Sequence, residues 1–186
     1  MLSRRPISRD LMRWDRVEET VSPSRAAILL LTHPGAQAIG LLRLQQACLA
    51  RGERRFARLI SLVNLRLTGA EFVPGCRVGP GLVMRHPQGI VLGAGVRIGS
   101  DCTILQHVTM GERNADGETG DHRYPVLGNE VVVGAGAVLL GGVRIGDRAV
   151  IGANAVVTKD VDADDVVAGA PAISIKANPS ARDSAR

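Results

Sequence analysis

Large rings are nearly missing from this chain. Its 186 residues include one Trp, one Tyr and two Phe, so the core must be thin and regular, and no row of aromatic platforms exists to stack nucleic-acid bases. Cysteine is equally sparse. Cys48, Cys76 and Cys102 are scattered and form no Cys-x-x-Cys pair, which excludes a disulfide framework and makes a reducing cytoplasm the simplest setting. Long apolar runs are lacking too: the stretch Ala26 to Leu31 ends at His33-Pro34, too short to span a bilayer. The arginines of the first ten residues lead into no apolar stretch, so the N-terminus does not read as a secretory leader. A net charge of +5 with a pI near 9.8, lacking aromatics or a basic reading helix, points to surface charge and a phosphate-bearing ligand rather than nucleic acid.

Glycine is abundant instead, at 22 residues, and it falls in a pattern. From Leu127 an apolar residue recurs every sixth position: Leu127, Val133, Leu139, Ile145, Ile151 and Val157. Four residues after each stands a small or β-branched one: Val131, Ala137, Val143, Ala149, Ala155 and Val161. The same spacing runs through Phe72, Val78 and Met84, then resumes two residues late at Leu92, Ile98, Ile104 and Met110. Neither a helix nor an isolated strand repeats every six residues. One short strand and one corner per face of a triangular coil does, so the expected fold is mainly β: a left-handed parallel β-helix.

The repeat covers residues 71–176 and breaks over 111–125, a polar, Gly-rich stretch expected to project as a loop. Residues 1–70 show helical spacing instead, as in Phe56, Leu59, Ile60 and Val63, and read as an N-terminal α-helical segment. A further short helix is expected around Leu11 to Thr20. Residues 177–186 carry no apolar anchor and read as a flexible tail.

A hydroxyl that attacks a carbonyl must lose its proton, and histidine is the usual acceptor of it near neutral pH. Of the four histidines, His33 reads as a helix-boundary residue and His122 as a solvated loop residue. His86 and His107 lie inside the repeat, one coil apart in crude register. His86 stands where the pattern is interrupted, which is where function is expected. Glu71 precedes it by fifteen residues, close to one coil of eighteen, so a carboxylate there is placed to orient the imidazole from a neighbouring coil. Cys76 and Cys102 occupy inward positions and read as buried fillers. His86, His107 and His122 could be imagined as a zinc set, but their spacing does not resemble that of the β-helical carbonic anhydrases, and no metal is expected.

These residues carry a resemblance. His33-Pro34-Gly35, Gly79-Pro80-Gly81, Arg85-His86-x-x-Gly89, Ile104-Leu105-Gln106-x-Val108-Thr109-Met110-Gly111, the Gly120-Asp121 to Pro125 loop end, Ile151-Gly152-Ala153 and Val167 to Ala172 are together similar to the serine acetyltransferase branch of the hexapeptide-repeat acyltransferases. The resemblance implies acetyl transfer from acetyl-CoA to a hydroxyl, with His86 as general base and Glu71 at the position of its acidic partner. It implies backbone contacts to the CoA moiety at Gly111, Ala135 and Ala153, Lys159 reaching a CoA phosphate, and N–H groups near Gly111 facing the oxyanion. The acceptor would meet Arg85, His107, Arg123 and Tyr124. A homotrimer is expected, extending to a dimer of trimers, with the donor lying between adjacent β-helices.

The departures from that pattern bear on the acceptor. The family has Asp immediately before the catalytic His, where this chain has Arg85, and an Arg-His pair where this chain has Arg123-Tyr124. Loss of the group expected to meet serine's ammonium favours a saccharide or polysaccharide precursor as acceptor, with serine as the alternative. A non-catalytic β-helix trimer is the remaining reading.

Overall fold

The computed structural model describes residues 6–15, 21–113 and 123–176. Four helices open the chain: α1 (Pro6–Asp15), α2 (Pro23–Thr32), α3 (Pro34–Ala50) and α4 (Arg54–Thr68). Proline stands at the start of α2 and of α3, where its missing N–H costs nothing. Ser22 caps α2 by accepting from the Arg25 N–H, and Gly69 ends α4 in the left-handed region. The first helix lies earlier than the expected Leu11 to Thr20, and residues 16–20 fall outside the described residues.

Five coils of β-helix follow. The first holds β1 (Glu71–Phe72), β2 (Arg77–Val78) and a single bridge at Val83; the second holds β3 (Val91–Leu92), β4 (Arg97–Ile98) and β5 (Thr103–Ile104). The third comprises β6 (Thr109–Gly111), β7 (Val126–Leu127) and β8 (Val132–Val133), and the fourth β9 (Val138–Leu140), β10 (Arg144–Ile145) and β11 (Val150–Ile151). The fifth has β12 (Val156–Val157), a bridge at Val161, and β13 (Val166–Ala168), against which β14 (Ile173–Ser174) turns back antiparallel. Parallel stacking gives three faces: β1-β3-β6-β9-β12 is the first, β2-β4-β7-β10 the second and β5-β8-β11-β13 the third. The fold is the left-handed parallel β-helix that the six-residue period implies.

Every guide residue of that period points inward. Phe72, Met84, Leu92, Ile104, Met110, Val133 and Leu139 are fully buried, and the rest of the series is at most 7% exposed. A two-residue strand shows one side chain to the core and one outward. The outer side is not apolar throughout: on the second face Arg77 and Arg97 stand in direct register and Arg144 follows two coils on.

The open end of the first coil is plugged by α3, whose Ala38, Ile39 and Leu42 join Phe72 and Cys76 in one core. Polar groups fix this lid: Gln45 Nε2 and Ser61 Oγ both donate to the Phe72 carbonyl, at 3.0 and 2.7 Å. A buried ion pair ties in α1. Arg43 meets Asp10 at 2.7 Å and donates to the carbonyls of Val78 and Gly79, each at 2.6 Å, while Asp10 accepts from the Leu82 N–H at 2.8 Å. Among the described residues no single helix is long and apolar enough to cross a membrane; α2 and α3 qualify by length only together, and they meet at 106°.

Candidate active site

The two-residue delay in the repeat becomes a wider corner. Glu71 pairs with Val91, twenty positions on, whereas Val91 pairs with Thr109, eighteen on. The surplus lies in the turn Met84–Gly89, on the edge between the third and first faces. Met84 and Pro87 are buried there, which pins the turn and leaves Arg85 and His86 exposed between them. Gly89 closes it at φ +70°, and a Cβ at this position would sit 2.3 Å from Nδ1 of His107. The absence of a side chain is what lets the His107 ring lie against the turn. His107 donates its N–H to the Gln88 carbonyl at 2.9 Å, so it stacks on this edge one coil above His86.

His86 lines a cavity of about 380 Å³ with Trp14, His33, Pro34, Arg85 and Gln88. Trp14 anchors the wall by donating Nε1 to the Met84 carbonyl at 3.3 Å, and its ring meets His33 edge-on at 4.8 Å. The Arg85 guanidinium lies 5.5 Å from the centre of the same ring. His33 is the boundary residue expected, ending α2 and opening α3, and it also lines this cavity. The junction of α2 and α3 delivers it to the cavity that contains His86. Its Nδ1 lies 2.8 Å from Thr32 Oγ1, whose own proton goes to the Ile28 carbonyl. Nδ1–H is thus the donor, and Nε2 stays open. Neither Trp14 nor His33 was legible as a site residue, because nothing in linear spacing relates α1 or the helix junction to residue 86.

Glu71 and His86 belong to one coil rather than to neighbouring coils. Glu71 opens the first coil and His86 sits in the corner that closes it. The two segments are zipped together by Gly89 N–H to Gly69 O at 2.9 Å and Glu71 N–H to Ile90 O at 2.8 Å. Among the described residues no side-chain hydrogen bond joins Glu71 to His86.

Arg123 and Tyr124 fall on the other edge of the first face. The Tyr124 ring covers the corner Gly93-Ala94-Gly95, where a Cβ on Gly95 would come within 2.1 Å of it. The Glu112 carboxylate beside its hydroxyl, with burial, pushes the phenol above its ordinary pKa. Arg123 pairs with the same carboxylate at 3.3 Å. The expected acceptor set is therefore divided within one chain: Arg85 and His107 share the edge of His86, while Arg123 and Tyr124 stand a face away.

The expected CoA contacts divide in the same way. Ala135 and Ala153 stack on the His86 edge, joined by Asn154 N–H to Ala135 O at 2.8 Å. Gly111 ends β6, so it belongs to a strand rather than to the projecting loop, with open space where a Cβ would stand. Gly111 and Lys159 both lie on the opposite edge, and Lys159 lines a cavity of about 280 Å³ there with Arg113 and Thr158. His122 and most of the projecting loop fall outside the described residues. Among the described residues no group of three His, Cys, Asp or Glu side chains is placed to hold a metal ion.

Residues 124–159 match the family model for the bacterial transferase hexapeptide, six repeats. The chain is 41% identical over 115 residues to serine acetyltransferase of Helicobacter pylori strain 26695, covering 62% of this chain and 66% of that protein. It is 42% identical over 143 residues to serine acetyltransferase of Synechocystis, covering 77% of this chain and 56% of the relative. The chain thus spans a little under two thirds of these relatives or less. Among solved structures, serine acetyltransferase of Neisseria gonorrhoeae superposes with a TM-score of 0.80 at 30% identity, covering 97% of this chain and 69% of that one. These likenesses overturn the expectation of a saccharide acceptor, which rested on Arg85 and Tyr124 alone: the relatives and the solved structure are named for serine acetylation. The chain belongs to the hexapeptide-repeat acyltransferases, in their serine acetyltransferase-like branch.

Proposed function

We propose that this protein is a serine O-acetyltransferase that uses acetyl-CoA as donor. The observation that carries the reading is the exposed His86, held between two buried residues in a widened corner of the β-helix and lining a cavity of about 380 Å³. His86 takes the proton from the acceptor hydroxyl as its oxygen attacks the acetyl carbonyl. The new C–O bond replaces the C–S bond, and the proton passes from His86 to the departing thiolate. Glu71, zipped beside the turn, stabilises the imidazolium electrostatically.

Gly111, Ala135, Ala153 and Lys159 suit a CoA moiety. The first three offer backbone without bulky side chains, and Lys159 with Arg113 offers positive charge for a phosphate. They occupy two edges of the first face, as do Arg85 with His107 and Arg123 with Tyr124. One site that uses all of them needs two copies of the chain side by side, which supports a homotrimer.

The test is turnover of acetyl-CoA followed as free thiol. With L-serine present the wild-type protein releases CoA, and His86→Ala lowers kcat by at least about a hundredfold with the KM for acetyl-CoA little changed. Turnover that survives the substitution would remove the proposed base.

A further inference from the structure

We infer that the acceptor is gripped by a negative charge next to its hydroxyl, with Arg85 as the residue that reads it, so that the site accepts hydroxy acids whether or not they carry an ammonium. This rests on the reading of His86 as the base that serves the acceptor hydroxyl.

Among the described residues that line the cavity around His86 the fixed charge is that of Arg85, and Glu71 beside the turn is assigned to His86. The described lining is Trp14, His33, Pro34, Arg85, His86 and Gln88, a guanidinium and two imidazoles without a carboxylate. Among the described residues the acidic neighbour of Trp14 is already committed: Asp15 forms a paired bond with Arg25 at 2.9 and 3.0 Å, which holds its carboxyl below the usual range. Arg85 is held differently. Its contacts among the described residues are the face of Trp14 at 5.5 Å and a long bond to the Trp14 carbonyl at 3.5 Å. An aromatic face orients a guanidinium without neutralising it, so its forked N–H groups stay available for an oxyanion.

Serine carries an ammonium and a carboxylate on the carbon next to its hydroxymethyl group. A cavity of this charge attracts the second and repels the first. The ammonium then contributes nothing to recognition, and its replacement by a neutral hydroxyl removes a repulsion. Trp14 is a positioning residue in this scheme, because it sets the guanidinium above the turn that carries His86.

The experiment divides serine into its two halves. Acetyl-CoA turnover is measured with L-serine, with both enantiomers of glycerate, which keep the carboxylate and lack the ammonium, and with ethanolamine, which keeps the ammonium and lacks the carboxylate. One glycerate enantiomer should match or exceed serine in kcat/KM, with ethanolamine lower by at least about tenfold. Arg85→Gln should raise the KM for glycerate and serine about tenfold or more and leave the KM for acetyl-CoA unchanged. Arg85→Lys should recover part of the loss. Serine turnover with neither glycerate active, ethanolamine matching serine, or an Arg85→Gln variant with unchanged acceptor KM would each overturn the assignment while leaving acetyl transfer intact. Absence of CoA release with every acceptor would instead remove the acetyl-transfer reading, and this inference with it.

Discussion

Burial decides which thiols of this chain can react. Cys76 and Cys102 fill inward positions of the first two coils, and loss of solvent pushes their thiols up to about 12 and about 11. At pH 8 both are neutral, so neither is available to carry an acyl group, which accords with the proposal that His86 serves the acceptor hydroxyl. Cys48, on α3, is half-buried. A chromogenic disulfide reagent at pH 8 should therefore titrate Cys48 alone in the native protein, and all three cysteines after denaturation. Fast modification of Cys76 or Cys102 without denaturant would mean that the first coils open readily. The same scale shows why Arg85 misled the reading of the acceptor. Its charge differs from that of the family's Asp, but charge alone does not say what a guanidinium touches, and the Trp14 ring beneath it comes from a helix seventy residues away.

At the scale of elements, the weak point is the joint between the helices and the first coil. Asp10 of α1 and Arg43 of α3 are almost fully buried, and together they use the Val78 and Gly79 carbonyls and the Leu82 N–H. Removing one partner strands the other charge and several backbone groups in the dry interior. Arg43→Ala or Asp10→Ala should therefore cost about 3–5 kcal/mol in a urea unfolding experiment. Replacing the pair together by apolar residues of similar volume should cost less than either single change. A single variant within about 0.5 kcal/mol of wild type would show that water reaches the pair. Of these elements, the coils were legible because a six-residue period admits one architecture, and Phe72 through Val157 took the inward places that it assigns. The corner at His86 was legible as a place where the period is delayed by two. The joint was not, because Asp10 and Arg43 look like any surface charges until α1 is folded against the coil. Nor was the split of the site between two edges, since a linear repeat says which residue faces outward but not which edge of a neighbouring copy it meets.

For the whole molecule the telling element is α4, which is packed inside out. It buries Ala57, Ser61, Asn64 and Thr68 against α3 and β1, and it leaves Phe56, Leu59, Val63 and Leu67 between 38% and 67% exposed. The exposed residues follow one another at helical spacing, so they form one continuous apolar stripe rather than scattered contacts. A protomer that stays alone gains nothing from such a stripe and is prone to associate through it. The occupant that the structure favours is another copy of this chain. The first face carries Val91, Val138 and Val156 outward, and on the proposed reading the residues of the site are shared between its two edges, an arrangement that copies meeting along the β-helix would complete. Light scattering on the full chain should give a mass that is a multiple of three protomers. Replacing Leu59 and Val63 together by Glu should lower that mass, because both side chains lie on the stripe and neither contributes to the core. The variant should keep its far-ultraviolet circular dichroism. An unchanged mass would show that the stripe faces something other than this chain, and a wild-type monomer at micromolar concentration would leave a site divided between two edges with nothing to complete it.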